Sequence, residues 1–117
     1  MGYLTTHVLD TANGCPGVGI PVVVRRLEAG QATTLAQTQT NDDGRCDRPL
    51  IEDDAFTAGQ YEIVFDVGAY FADRRESLDS PAFIDEVVIR FGVAHADQHY
   101  HVPLLVSPYG YSTYRGS

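Results

Sequence analysis

Apolar and polar residues alternate with a period of two over several short segments of this chain, which is the pattern of strands with one buried face. The clearest segment lies near the end, where one face would carry Tyr100, Val102, Leu104 and Val106. The opposite face would carry His99, His101, Pro103 and Leu105. The first set predicts a row that faces the core. The second set mixes imidazoles with apolar groups, and this composition favours a recognition surface over a solvated one.

Gly, Pro, Asn and Asp residues separate these segments and favour turns between strands. About eight strands are predicted, near residues 4–10, 20–27, 33–39, 45–50, 61–66, 84–91, 99–106 and 109–115, the fourth being either a short strand or an extended loop. One short amphipathic helix is predicted at residues 69–76. The last two strands are separated only by Ser107 and Pro108, so we expect them to pair. The pattern predicts an all-β fold, an antiparallel sandwich of two sheets in a single domain spanning residues 1–117.

The length and composition allow one hydrophobic core, since the chain has 117 residues of which 44% are apolar. It contains no run of about 18 apolar residues, so no transmembrane helix is expected. The formal net charge is −8, and all eight basic residues are Arg. Nucleic acids and anionic membranes attract dense positive charge, so neither is an expected partner. An Arg with a function in such a chain must act locally, inside a pocket.

The start of the chain, MGYLTTHVLD, lacks the basic residues and apolar stretch of a signal peptide. We therefore expect a mature, soluble protein of the cytoplasm, with the periplasm and the peroxisome as alternatives. Cys15 and Cys46 lie in predicted turns, and neither belongs to a Cys-x-x-Cys motif. Two cysteines in a chain of this length do not make a disulfide framework, so free thiols in a reducing compartment are expected.

Side chains that could take part in catalysis or substrate binding lie on the non-core faces of three predicted strands. They are His7 in the first strand, His99 and His101 in the penultimate strand, and Ser112 and Tyr114 in the last. The apolar Leu9, Pro103 and Leu105 share these faces, which a monomeric sandwich would normally cover with polar residues. We therefore expect another subunit to bury these faces and a functional site to lie at the interface. Single histidines in strands and loops are usually structural, and His95 and His99 are expected to be peripheral.

Three kinds of chemistry suit this set of residues. A His-x-His pair on one strand, together with a third histidine, can bind Zn²⁺ and leave one position open for an activated water. A Ser-His-Asp triad would need its serine on a sharp turn, and no G-x-S-x-G sequence occurs. In metal-free hydrolysis a neutral histidine takes a proton from water while an arginine binds and polarises the substrate. The zinc and metal-free mechanisms both remain open from the residue pattern.

Three blocks of sequence resemble those of a known enzyme family. They are LTTHVLDTANGCPG near the start, TNDDGR in the middle and HYHVPLLVSPYGYSTYRGS at the end. The blocks are similar to those of the 5-hydroxyisourate hydrolases, the transthyretin-related enzymes of purine catabolism, and they match at the diagnostic positions. The final YRGS is the most specific part, because it distinguishes the hydrolases from the hormone carrier transthyretin, which shares the fold and part of the last block.

The resemblance implies a transthyretin-like two-sheet sandwich with one short helix, assembled as a homotetramer. This tetramer would be a dimer of dimers around a central channel, with active sites where the dimers meet. Carried over by position, the expected catalytic residues are His7, Arg45 and His101. Tyr114 and Ser117 of the terminal motif are expected to bind substrate, together with Ser112 on the same face as Tyr114. Arg45 is identified by the resemblance alone.

The implied reaction is the hydrolytic opening of the six-membered ring of 5-hydroxyisourate, which gives 2-oxo-4-hydroxy-4-carboxy-5-ureidoimidazoline. His7 and His101 would activate water and transfer protons, with the general base not assigned between them. Arg45 would bind the flat, oxygen-rich substrate through paired donors. No metal or other cofactor is expected. The alternative function is that of a transthyretin-like carrier, which would bind an aromatic small molecule in the channel of the tetramer.

Overall fold

A computed structural model describes residues 1–74 and 79–116 of the chain. It contains nine strands, two of which have only two residues each. The strands are β1 (Tyr3–Asp10), β2 (Cys15–Pro16), β3 (Pro21–Glu28), β4 (Gln31–Gln39), β5 (Ile51–Glu52), β6 (Gly59–Asp66), β7 (Glu86–Val93), β8 (His99–Ser107) and β9 (Gly110–Thr113). One α-helix, α1 (Gly68–Asp73), and one turn of 3-10 helix, Asp53–Ala55, complete the regular structure of these residues.

The strands form two sheets that face each other. The first sheet has the order β2-β1-β8-β9, with β5 also paired to β1, and the second has the order β4-β3-β6-β7. Apolar side chains from both sheets fill the space between them, among them the fully buried Leu4, Val24, Phe65 and Leu104. The predicted all-β sandwich is confirmed. Among the described strands one pair, β1 with β8, is parallel, and the alternation of residues did not predict this.

Most predicted elements are present, with differences at their ends. β8 and β9 pair through a tight turn, as predicted. Residues 45–50 form an extended loop, and the short strand β5 follows it. The predicted helix is confirmed at Gly68–Asp73, while residues 75–76 of that prediction lie outside the described residues. No helix in the described part of the chain has the length and apolar character needed to cross a membrane.

The alternation predicted for β1 and β8 is confirmed by the burial of their side chains. The inward residues of β1 include the buried Leu4, Thr6 and Val8, and those of β8 are Tyr100, Val102, Leu104 and Val106. The residues between them lie on the outer face of the first sheet, where all but Pro103 are half-buried or exposed. This outer face carries the histidines singled out by the sequence.

A buried carboxylate attaches α1 to the end of β1. Asp10 is fully buried and accepts hydrogen bonds from the hydroxyl of Tyr70 in α1 (2.7 Å) and from the side-chain amide of Asn13 (2.8 Å). The backbone N–H groups of Ala12 and Asn13 also donate to it, both at 3.0 Å. Burial acts to raise the pKa of Asp10, but these hydrogen bonds outweigh it, and the pKa is lowered. One ionised group therefore holds a turn and a helix to the first sheet.

Candidate active site

The parallel pairing of β1 with β8 brings polar and ionisable side chains of the two strands together on the outer face. Thr5 lies opposite His101, and Tyr3 lies opposite His99. His7 follows Thr5 on the same face, about 7 Å further along the strand. Residues opposite each other in a ladder point to the same face, so side chains from the two ends of the chain become neighbours.

A tight turn delivers Arg45 to the same face. Gly44 has a φ of +75°, and a Cβ there would clash with the carbonyl oxygen of Val8, so glycine is required. The backbone N–H of Val8 donates to the carbonyl oxygen of Gly44 at 2.8 Å, and Arg45 forms a β-bridge with His7. The side-chain oxygen of Asn41 accepts from the backbone N–H of Arg45 at 3.2 Å. The glycine of the TNDDGR motif thus allows the loop to dock on β1.

An open cleft of about 350 Å³ lies between this loop and the two strands. Its walls are formed by Thr5, Thr6, Arg45, Cys46, Asp47, Arg48, Pro49, His99 and His101. Two of the three predicted catalytic residues, Arg45 and His101, line the cleft, and the third, His7, forms a β-bridge with Arg45. The fold therefore brings the three motifs to one place.

The hydroxyl of Thr5 connects two imidazoles of the cleft. Its Oγ1 lies 2.7 Å from Nε2 of His99 and 2.8 Å from Nδ1 of His101. With Nδ1 engaged, Nε2 is the nitrogen of His101 that remains for a substrate or a water molecule. The ring of His99 also stacks on Tyr3, with centroids 4.1 Å apart. Both imidazoles are thus held in defined orientations.

The loop that carries Arg45 also orients His7. Nε2 of His7 lies 3.1 Å from the carbonyl oxygen of Asp43, which can only accept, so Nε2 carries a proton. A neutral His7 then has its lone pair on Nδ1. Backbone atoms of one loop therefore select the tautomer of His7 and position Arg45 beside it.

The surroundings of His101 favour its neutral form. Burial lowers the pKa of His101 below its ordinary value of 6.5, and the positive charge of Arg45 lowers it further, followed by smaller effects of His99 and His7. A general base must be unprotonated at the pH of the reaction. His101 is therefore suited to accept a proton from water at neutral pH.

The cleft is basic in a protein that is acidic overall. Arg45 and Arg48 both line it, and Asp47 is the one acidic residue among its walls. Within residues 1–74 and 79–116, Arg45 takes part in no salt bridge, so no carboxylate of these residues is paired with its N–H donors. In the same residues no group of three His, Cys, Asp or Glu side chains has an arrangement that could hold a metal ion.

The end of the chain packs against His101. The backbone N–H of Gly116 donates to the carbonyl oxygen of His101 at 2.7 Å, and a Cβ on Gly116 would lie 2.8 Å from Cδ2 of the ring. The guanidinium of Arg115 lies 3.9 Å from the ring centroid of Tyr100 and donates to Gln98 at 3.0 Å. The terminal motif is therefore anchored up to Gly116. Ser117, which is predicted to bind substrate, lies outside the described residues.

Two other predicted substrate-binding residues are outside the cleft of a single chain. Ser112 pairs with Leu105 in the β8–β9 ladder, and Tyr114 is 61% exposed. Tyr114 borders a different cavity, of about 250 Å³, together with residues of β7. A role for either residue at the cleft therefore requires a second subunit that faces this sheet.

The sequence analysis did not predict that Thr5 belongs to the site, and it predicted the wrong position for His99. The expectation that His99 is peripheral is wrong, because His99 lines the cleft and shares the Thr5 hydroxyl with His101. The alternation places Thr5 beside His7, but only the β1–β8 register shows that it faces the His-x-His pair. Arg115 belongs to the terminal motif, which is the signal that could have indicated its anchoring role.

Comparisons with known proteins show the family to which the chain is similar. A model of the HIUase/Transthyretin family matches residues 4–116 of the chain. The 5-hydroxyisourate hydrolase of Pseudomonas aeruginosa is 57% identical over 117 residues, a match that covers 100% of this chain and 93% of that protein. The similarity thus extends over the whole sandwich.

Two solved structures are similar to the chain in fold. The 5-hydroxyisourate hydrolase of Klebsiella pneumoniae has a TM-score of 0.80 at 36% identity, and the match covers 100% of both chains. Sea bream transthyretin, in complex with thyroxine, has a TM-score of 0.87 at 28% identity and is matched over 97% of this chain and 93% of its own. The fold is therefore similar to those of a hydrolase and of a transthyretin that binds thyroxine, and the sequence is more similar to that of the hydrolase.

Proposed function

The chain belongs to the HIUase/Transthyretin family, and from this premise we propose that it forms one domain that hydrolyses 5-hydroxyisourate to 2-oxo-4-hydroxy-4-carboxy-5-ureidoimidazoline in urate catabolism. The observation that carries the proposal is that Arg45 and His101, from two sequence motifs, line one cleft, and that His7, from the third motif, forms a β-bridge with Arg45. The 57% sequence identity to the 5-hydroxyisourate hydrolase of Pseudomonas aeruginosa, over the whole chain, supports the proposal. The chain is then an enzyme that opens a cyclic amide.

His101 is the proposed general base, because its lowered pKa leaves the imidazole unprotonated near neutral pH. It takes a proton from water, and the resulting hydroxide adds to the ring carbonyl carbon that becomes the carboxyl group. The oxyanion formed in this step faces Arg45, whose planar guanidinium can donate two hydrogen bonds to adjacent oxygens. The carbon–nitrogen bond of the ring then breaks, and the departing nitrogen takes a proton from a protonated histidine, either His101 or His7.

The proposed assembly is a homotetramer, a dimer of dimers, in which a neighbouring subunit completes the cleft. Leu9, Pro103 and Leu105 support it, because they place apolar groups on the outer face beside the histidines, and Leu9 is 36% exposed. We place the enzyme in the cytoplasm, since the unpaired thiols of Cys15 and Cys46 suit a reducing compartment.

Transport of an aromatic ligand is the alternative, and the fold similarity to a thyroxine complex is the observation in its favour. The composition of the cleft favours hydrolysis, because Arg45, His99 and His101 line it, whereas ligand pockets are mostly apolar. The exposed ring of Tyr114 would also narrow a channel between facing subunits.

The direct test is the ultraviolet decay of freshly prepared 5-hydroxyisourate, recorded with and without the protein. We expect a decay rate proportional to protein concentration that persists after exhaustive dialysis against a strong chelator. A His101→Ala protein, purified in the same way, controls for a contaminating hydrolase. Decay no faster than the spontaneous rate would contradict the proposed function. Loss of activity on chelation, with recovery on added Zn²⁺, would contradict the metal-free mechanism.

A further inference from the structure

We propose that Thr5 is a positioning residue that sets the tautomer of His101 and, together with His99, forms a relay that moves a proton away from the base. The proposal rests on the proposed hydrolysis, in which His101 activates water. It is carried by the two contacts of the Thr5 hydroxyl, 2.7 Å to Nε2 of His99 and 2.8 Å to Nδ1 of His101. All three side chains are half-buried, so these hydrogen bonds are partly shielded from water.

One hydroxyl cannot donate to both imidazoles, because a threonine has a single hydroxyl proton. In one arrangement Thr5 donates to Nδ1 of His101, which then carries its own proton on Nε2 and cannot act as a base toward the cleft. In the other, Nδ1–H of His101 donates to Thr5, and Thr5 donates to Nε2 of His99. Nε2 of His101 then has a free lone pair. Only the second arrangement leaves a base in the cleft.

The charge of Arg45 favours the second arrangement. Arg45 lines the same cleft as His101 and lies close enough for its charge to lower the pKa of His101. A nearby cation stabilises a lone pair directed toward it and opposes an N–H dipole in the same direction. His101 therefore carries its proton on Nδ1, and a neutral His99 carries its proton on its own Nδ1.

The same contacts provide a path for the proton taken from water. Once Nε2 of His101 has accepted that proton, the ring holds protons on both nitrogens. The Nδ1 proton moves to Oγ1 of Thr5 while the hydroxyl proton moves to Nε2 of His99, which leaves His101 neutral and His99 protonated. Only N–H and O–H bonds change, and the charge is conserved. Back-transfer from His99 through Thr5 first returns a proton to Nδ1 of His101. The doubly protonated His101 then gives its Nε2 proton to the departing nitrogen, which restores the base.

Electrostatic repulsion favours moving the proton from His101 to His99. A protonated His101 is destabilised by the charge of Arg45, which is one of the causes of its lowered pKa. His99 stacks on Tyr3, and Tyr3 is 38% exposed, so the cation on His99 forms at the more solvated side of the site. Transfer through Thr5 thus moves the positive charge from an imidazole that the charge of Arg45 disfavours to one that stacks on a partly exposed ring.

Kinetics of matched variants test the proposal. Thr5→Val removes the hydroxyl and keeps the branched shape, and it should lower kcat about 10²-fold with little change in KM, whereas Thr5→Ser should stay within about threefold of wild type. His99→Phe keeps a ring for Tyr3 but accepts no proton, and it should lower kcat by about tenfold or more. Thr11→Val is the control, because the Thr11 hydroxyl also donates to β8, at the carbonyl oxygen of Val106 (3.1 Å), and touches no imidazole.

Histidine ring ¹⁵N NMR supplies a readout that needs no substrate. Above the pH at which His101 titrates, wild-type and Thr5→Ser protein should show the His101 proton on Nδ1, and Thr5→Val should lose this preference. Failure of the wild-type protein to hydrolyse 5-hydroxyisourate would contradict the proposed function. The NMR measurement would still decide whether Thr5 sets the tautomer of His101.

Three results would overturn the proposal. The first is a His101 proton on Nε2 in the wild-type protein, or the same tautomer in wild type and Thr5→Val. The second is an equal loss of kcat in Thr5→Val and Thr5→Ser, which is the result expected of a packing effect. The third is a normal kcat in His99→Phe, which would exclude transfer to His99.

Discussion

His7 and His101 are held by hydrogen bonds that leave opposite ring nitrogens free. The carbonyl oxygen of Asp43 binds the Nε2 proton of His7 and leaves Nδ1, whereas the Thr5 hydroxyl occupies Nδ1 of His101 and leaves Nε2. Each imidazole can therefore exchange one proton with water or substrate while its other nitrogen keeps the ring in place.

Both histidines should be needed for the chemical step. Since each handles a proton in the proposed transition state, His7→Ala and His101→Ala should each lower kcat by about 10²–10⁴-fold in the hydrolysis assay. His95→Ala is the control, because His95 is exposed in the loop between β7 and β8 and does not line the cleft. An equal loss in all three variants would mean that the substitutions harm the fold and not the chemistry.

Arg45 presents two parallel donors that lysine cannot reproduce. Arg45→Lys keeps the positive charge but loses the planar pair, so kcat/KM should fall by about tenfold or more, as expected for one lost charge-assisted hydrogen bond. Arg25→Lys, on the second sheet, where Arg25 pairs with Glu62, should have no comparable effect. Near-normal kcat/KM in Arg45→Lys would reduce Arg45 to a source of positive potential.

The lowered pKa of His101 predicts the pH dependence of the reaction. Burial and then the charge of Arg45 disfavour the protonated ring, so kcat/KM should rise with pH through a pKa below 6.5 and level off near neutrality. Arg45→Gln removes one cause of the lowering, and the acidic limb of the profile should move to higher pH. In Arg25→Gln the limb should stay in place. A limb that also stays in place in Arg45→Gln would assign the titration to another group.

At the scale of elements, β1 is the strand on which the site depends. It pairs with β2, β5 and β8 within the first sheet, and a β-bridge joins it to the loop of Arg45. Its outer face presents Thr5 and His7, while its inner face packs into the core. Contacts that hold the end of β1 therefore stabilise both the sandwich and the site.

The contact between α1 and β1 can be tested through Tyr70, whose hydroxyl donates to the ionised Asp10. Tyr70→Phe should lower the free energy of unfolding by about 1.5–3 kcal/mol at neutral pH, the usual contribution of a hydrogen bond to a charged group. Because the pKa of Asp10 is lowered in the folded state, this contribution is present at neutral pH and is lost as the pH falls through that pKa. Urea unfolding at a series of pH values would measure it.

Tyr109→Phe is the matched control for this measurement. The Tyr109 hydroxyl also contacts a carboxylate, that of Asp79 at 3.5 Å, but on the surface of the molecule. Its removal should change the free energy of unfolding by less than about 0.5 kcal/mol. Equal effects of the two substitutions would show that burial of Asp10 does not strengthen its bond to Tyr70.

At the scale of the whole molecule, the site is predicted to depend on assembly. Tyr114→Thr removes an exposed ring that the proposed tetramer places at the channel. We expect a folded tetramer with activity reduced about tenfold or more and with some affinity for bulky aromatic ligands. Light scattering, the hydrolysis assay and a ligand titration on one preparation would test these three effects.

Tyr111→Thr is the control, because Tyr111 pairs with Val106 and so lies on the opposite face of β9 from Ser112. It should leave the ligand preference unchanged. A monomeric wild-type protein would contradict the proposed site at an interface. A fully active Tyr114→Thr tetramer would show that the phenol is not needed for catalysis.

The alternation of residues and the three motifs were enough to determine the core face of β8, the family and the face that carries the histidines. The period of two along β1 and β8 identified the core row of Tyr100, Val102 and Leu104, because the direction of successive side chains is a local property of a strand. The three motifs indicated the family, and through it Arg45, which no periodicity could distinguish from a solvated loop residue. The same local pattern correctly placed His7 and His101 on the outer face.

Only the tertiary structure decided which outer residues meet. Alternation is the same whether a neighbouring strand is parallel or antiparallel, so it could not reveal that β1 and β8 run in the same direction. That register brings Thr5 to His101, 96 positions away along the chain, and makes one hydroxyl the partner of two imidazoles. The pairing of distant strands depends on the packing of the whole sandwich. For this reason only the structure could identify Thr5 and His99 as residues of the site.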